Sequence, residues 1–176
     1  MIRAIGIYYR LRDEVDRQVA ALEKLHKDWM ACRKGCCSCC MELTVWPVEF
    51  YAIREQLKAA NWPKPKYNES RECGFLDDHG SCQIYPFRPM ICRTHGLPLA
   101  YWQEDSHPPG YGIIFCDKNF DAAGEIHFDS ENTLNMDDIN EKLARINMVF
   151  LDERKDLNPA PADRIELREL LYPERD

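Results

Sequence analysis

The sequence predicts an α+β fold, a small single domain in which helices bracket short hairpins around a cysteine-rich metal centre. Three observations predict it. Apolar residues recur at steps of three or four near both ends, the middle carries short β-type runs separated by turn chemistry, and nine cysteines concentrate between the helical parts. A length of 176 residues suits one domain, read as 1–176 with core motifs over 32–116 and a C-terminal helical part over 117–176. A domain of this size holds a real core, and a metal staple adds usefully to its stability.

Leu11, Val15, Val19, Leu22, Leu25 and Trp29 form one apolar stripe, which predicts a helix over 11–31 leading into the run CRKGCCSCC. Leu43, Val45 and Trp46 then read as a strand. Pro47 fits a first helical turn, and Glu49, Phe50, Ile53 and Leu57 continue a second helix to about Asn61. The prolines of NWPKPKYNES cannot extend it, so this piece is a surface connection. In CGFLDDHGSCQIY, apolar ends flank Asp77, Asp78, His79 and Gly80, the chemistry of a tight hairpin that returns Cys82 towards Cys73. Pro86 and Pro89 punctuate a brief helical turn carrying Cys92 and Arg93. A second hairpin runs from LPLAYW to YGIIFC across QEDSHPPG and leaves Cys116 at a strand end. EIHF reads as a further strand. Met136, Ile139, Leu143, Ile146, Val149 and Phe150 mark a helix over 136–155, started by Asn135 or Asp137. NPAPAD is a linker and RIELRELL a short final helix.

Five cysteines fall within nine residues, at Cys32, Cys36, Cys37, Cys39 and Cys40; the others are Cys73, Cys82, Cys92 and Cys116. The apolar stretch in MIRAIGIYYRLRDEV is too short and charged for an export signal. The expected compartment is therefore the cytoplasm, where thiols stay reduced and dense cysteines mark a metal site. Disulfides fit poorly, since nine is odd and two pairs are adjacent in sequence. No run approaches the roughly 18 apolar residues that span a bilayer, so no membrane partner is expected. The net charge is -7, and residues 67–176 carry 22 Asp/Glu against 11 Lys/Arg, which argues against nucleic acid. If the centre is only a structural one, the acidic half would instead steer a basic protein partner of unknown identity.

Inside CRKGCCSCC, two thiolates reach one centre when the backbone turns between them, and both Cys36 with Cys39 and Cys37 with Cys40 have that spacing. Adjacent side chains tend to point apart. Gly35 relaxes the backbone before Cys36 and favours it as an anchor. Thiolate centres are negative, so the flanking Arg33, Lys34, Arg88 and Arg93 are candidates to offset that charge; Arg88, between prolines, is the first choice for a buried role. His95 follows Cys92 at C-x2-H spacing, a ligand pattern or a plain turn. His79 and His107 sit in loops, while His26 and His127 read as helix and strand residues. Trp29, Trp46, Tyr85, Phe87 and Trp102 surround the cysteine segments, as core packing or as a dry shell.

The order GC36CSC39C40, C73GFL, C82QIYPFRP and C92R resembles the cysteine-cluster family of zinc- or iron-chelating domains, the YkgJ-like proteins, related to part of flagellin lysine methylases. The likeness covers residues 32–93, with Gly74 where the family often has proline and Cys116 as the later family cysteine. It implies Cys36, Cys39, Cys40, Cys73, Cys82 and Cys92 as metal ligands, joined by Cys32 and Cys116, and leaves Cys37 as the extra thiol. Arg88 and Arg93 would tune the bound group. The resemblance also raises iron-sulfur chemistry, with a redox or methyl-transfer related role.

A four-iron four-sulfur (4Fe-4S) cluster takes four thiolates from separate directions, whereas structural zinc prefers pairs of C-x2-C knuckles. Cys73, Cys82, Cys92 and Cys116 are spread by 9, 10 and 24 positions, which favours iron-sulfur. Two zinc ions using all eight thiols are the alternative, in a binding or accessory module without catalysis. Cys32, Cys36 and Cys39 also match the C-x3-C-x2-C triplet of radical enzymes. The repeated strand-helix units of such enzymes are missing, so that reading is set aside. No residue is assigned a catalytic role.

Overall fold

The structure, a computed structural model, describes every residue except 1, 34, 121–126, 158–159, 161–162 and 173–176. Helix α1 (Arg3–Leu25) begins earlier than the stripe predicted, because Ala4, Ile5 and Tyr8 extend the same buried face. It also ends earlier, at His26; Trp29 lies beyond it and is 41% exposed. Helix α2 (Pro47–Ala59) opens on Pro47, whose missing N–H costs nothing in a first turn. Helix α4 (Met136–Glu153) is started by Asn135, whose side-chain oxygen accepts from the Asp138 backbone N–H at 3.2 Å.

These three helices pack on one another. Tyr8, Val15, Val48, Leu97, Leu134, Ile139 and Phe150 lie at the centre of the main core. A second, smaller core gathers Val45, Phe50, Ile53, Phe75, Ile84, Leu167 and Leu171, and Cys73 and Cys82 pack against it. Among the described residues, no helix is long and apolar enough to cross a membrane.

The strands are short. β1 (Thr44–Val45) pairs antiparallel with β5 (Ile165–Glu166), and β2 (Leu99–Gln103) pairs antiparallel with β3 (Gly110–Ile114) and parallel with β4 (Leu134–Asn135). Leu99 faces Ile114 and Gln103 faces Gly110, as the second hairpin predicts. The first hairpin is reduced to a single bridge, Leu76 with Cys82. Asp77 takes up its turn, accepting from the His79 and Ser81 backbone N–H groups at 2.9 and 2.8 Å.

RIELRELL is not one helix. Ile165–Glu166 adds to β1, and only Leu167–Leu171 coils, as a 3-10 turn. A helix of two turns is a poor nucleus, and the open edge of β1 offers backbone partners at once. Of EIHF, Glu125 and Ile126 lie outside the described residues; His127 and Phe128 are irregular, and the His127 carbonyl accepts from the Asn132 side chain at 2.9 Å. Most of NPAPAD also lies outside the described residues. Among the described residues the fold is α+β, four α-helices with small sheets. The fourth helix, α3 (Met90–Thr94), is the predicted brief turn carrying Cys92 and Arg93.

Candidate metal centre

The loop after α1 makes two tight turns in succession. Cys36 N–H donates to the Arg33 carbonyl at 2.9 Å, and Cys40 N–H to the Cys37 carbonyl at 3.0 Å. Gly35 sits inside the first of them at φ +88°, a conformation that suits glycine. Cys36, Cys39 and Cys40 thereby reach a common cavity of about 680 Å³, and Cys37 does not line it. The Cys37 sulfur instead lies beside Gly80, where an added Cβ would stand 3.5 Å from it.

Other elements bring the remaining thiols to the same cavity. The Leu76–Cys82 bridge, with Leu76 N–H donating to the Cys73 carbonyl at 3.0 Å, sets Cys73 and Cys82 on the turn over the second core. Helix α3 supplies Cys92, and Cys116 follows two residues after β3. Cys32, Cys36, Cys39, Cys40, Cys73, Cys82, Cys92 and Cys116 all line the cavity, together with His95, Arg33, Arg88 and Arg93. Lys34 lies outside the described residues.

The two arginines differ from expectation in which one is buried. Arg88 is half-buried; its guanidinium lies 3.6 Å from the Tyr85 ring centre and donates to the Cys92 carbonyl at 3.2 Å. Its charge pulls down on the Cys82 and Cys92 thiols. Arg93 is the buried one, 8% exposed. It holds Asp16 with both oxygens at 2.8 and 2.9 Å, and donates to the Arg88 and Pro86 carbonyls at 2.7 and 2.8 Å. The sequence could not foresee this, because the partner Asp16 comes from α1, far along the chain.

Burial pushes up the thiols of Cys73 and Cys82, and pushes Cys92 up to about 12, helped by the neighbouring charges of Cys82 and Cys73. Cys32 is raised by partial withdrawal from solvent and by Cys116, Cys36 and Cys39, against a lowering donation from Asn119. Cys39 is held low by hydrogen bonds from Cys40 and His95, and Cys40 is raised as the donor of that pair. The raised thiols of Cys32, Cys40, Cys73, Cys82 and Cys92 keep their protons until a cation displaces them.

Three positioning residues escaped the sequence reading. Asn119, 1% exposed, donates through Nδ2 to Cys32 Sγ at 3.3 Å and to the Gly96 carbonyl at 2.6 Å, and accepts from Ala31 N–H at 2.8 Å; its own N–H donates to the Cys116 carbonyl at 2.8 Å. Its place three residues after a cysteine was the one available signal. Gly96, at φ +97°, lies so close to Cys32 that a Cβ would come within 2.8 Å of the sulfur. Glu49 is 3% exposed and accepts from Trp46 N–H at 3.4 Å and from Met90 N–H at 2.9 Å, tying the start of α2 to the start of α3. Its position in the first helical turn was legible; its reach to α3 was not.

His95 lines the cavity, His79, His107 and His127 are exposed, and His26 is buried with Nε2 2.8 Å from the Asn132 carbonyl. The expected aromatic shell is mostly elsewhere: Trp29, Trp46, Phe87 and Trp102 do not line the cavity, whereas Tyr85, Phe75 and Trp62 do. Among the described residues, no three His, Cys, Asp or Glu side chains are drawn together tightly enough to hold a single ion. The donor set, eight soft thiols around one volume, fits a thiophilic metal or cluster.

Soft donors gathered in this order define a metal-chelating cysteine domain. Residues 31–107 match the family model CxxCxxCC, described as a putative zinc- or iron-chelating domain. No curated protein and no solved structure matches the chain. Cys116 and Asn119 lie beyond the matched residues and still meet the site.

Proposed function

We propose that the protein is an iron-sulfur protein, with 4Fe-4S centres held by thiolates of Cys32, Cys36, Cys39, Cys40, Cys73, Cys82, Cys92 and Cys116, and that it carries electrons. The observation that carries this reading is the arrangement of eight thiols from separate segments around one roomy cavity. A tetrahedral zinc site calls for four donors about 2.3 Å from one point, whereas a cluster keeps its thiolates further apart. When bound, such a cluster supplies one-electron transfer.

The chain's own residues serve that task in distinct ways. Arg88 places positive charge beside Cys82 and Cys92, which favours the more negative, reduced state. Arg93 holds α3 to α1 through Asp16, so it acts on Cys92 by position. Phe75, Ile84 and Leu167 wall the buried side and limit access of water and oxidants. A reducing compartment such as the cytoplasm would keep these thiols available as ligands.

The test is purification without oxygen followed by metal and acid-labile sulfide analysis. Iron with equal sulfide and a brown colour that bleaches reversibly on reduction is the expected result, with a shifted potential in Arg88→Gln. Colourless protein with stoichiometric zinc and no sulfide would overturn it in favour of a structural binding module.

A further inference from the structure

We propose that the eight thiols form two four-cysteine sets, Cys32, Cys36, Cys39 and Cys116 on one side of the cavity and Cys40, Cys73, Cys82 and Cys92 on the other, each holding its own centre. This deepens the reading above: it rests on the thiols being ligands, though not on the metal being iron.

The backbone builds the two sets separately. Asn119 clasps the first, since its side chain donates to Cys32 Sγ while its N–H donates to the Cys116 carbonyl. Gly96 closes the other side of the Cys32 sulfur. The second set rests on the Leu76–Cys82 bridge and on α3, with Arg88 joining Cys92 to the 3-10 turn at Tyr85. Cys73 and Cys82 share the second core, which none of the first set's cysteines touches among its packed residues.

The chain passes from one set to the other between the neighbours Cys39 and Cys40, both of which line the cavity. Four thiolates are the full complement of a tetrahedral zinc ion or of a 4Fe-4S cube, so eight divide without remainder and Cys37 stands apart. The division also completes the C-x3-C-x2-C triplet: Cys116 gives it a fourth thiol, which argues against an open coordination position there.

Metal and sulfide per chain decide between one centre and two. Anaerobic wild-type protein should hold about eight iron and eight sulfide, or about two zinc if the iron reading is wrong. The double variants Cys32→Ser with Cys116→Ser, and Cys73→Ser with Cys82→Ser, should each keep about half, with folding followed by far-ultraviolet circular dichroism. About four iron or one zinc in the wild type would overturn the division while leaving the metal's identity to the sulfide assay. A folded double variant that lost all metal, or none, would overturn it too. Should either variant fail to fold, the wild-type stoichiometry by itself supports or overturns the division.

Discussion

The two sides of the cavity are made by different physics. Cys73, Cys82 and Cys92 stand on a hydrogen-bonded turn and a short helix laid over an apolar core, and α3 is fixed at one end by Glu49 and at the other by the Arg93–Asp16 pair. Cys32, Cys36 and Cys39 stand on a loop of tight turns, and Cys116 follows β3; Asn119 joins Cys32 to Cys116. Identical donors thus reach one volume by two routes. One side is laid on an apolar core, whereas the other is held by two backbone turns, by Gly96 and by the Asn119 side chain.

Metal removal should give the largest effect and expose this contrast. Chelation is expected to abolish hydrogen-exchange protection over residues 31–41 and 115–120 while residues 73–94 keep much of theirs; equal loss on both sides would break the comparison. The metal-free chain should also respond to pH. Its Cys92 thiol keeps its proton to about 12, above the ordinary 9.0, so the stability it contributes is whole below about pH 9 and is lost as pH rises through about 12. Thermal midpoints of metal-free protein across the alkaline range check the sign. Metal uptake runs the other way, releasing protons and weakening as pH falls.

A smaller effect is expected from Asn119→Ala. Removing the amide leaves Ala31 N–H and the Gly96 carbonyl without their buried partner and frees Cys32. Retention of metal by the first side should weaken roughly 10- to 100-fold, read by competition with a chelator, while the second side is unchanged. Cys37→Ser should change metal content and stability least of all, because Cys37 faces Gly80 rather than the cavity. Metal loss in that variant would show that the register of the loop is wrong.

Local chemistry was the legible part. The apolar period of α4, its Asn135 start, Pro47 at the head of α2 and the Leu99–Ile114 hairpin were all readable, because each depends on neighbours in sequence. The cysteine order was readable for the same reason. What escaped depends on distant partners: Asn119 with Cys32, Glu49 with Met90, and Arg93 with Asp16 join segments whose meeting no local pattern announces. The β1–β5 pairing that split RIELRELL belongs with them, since an edge strand from one end of the chain captured residues near the other. Arg88 and Arg93 show the limit well: equal in charge and close in sequence, they differ in burial, and the buried one is paired with Asp16 from α1.

The return of the chain to β1 has a further consequence for how the protein is born. Leu167 donates its N–H to the Leu43 carbonyl at 2.9 Å and helps to wall the cavity, so the site is finished by a segment synthesised long after the cysteine loop. At ribosomal speed, Cys32 leaves the tunnel of the order of ten seconds before that segment follows. For that interval the thiols of the nascent chain lie open on the side that Leu167 later covers, which sets a window in which a delivery factor can reach them and after which the same exchange must wait for the C-terminal strand to peel away.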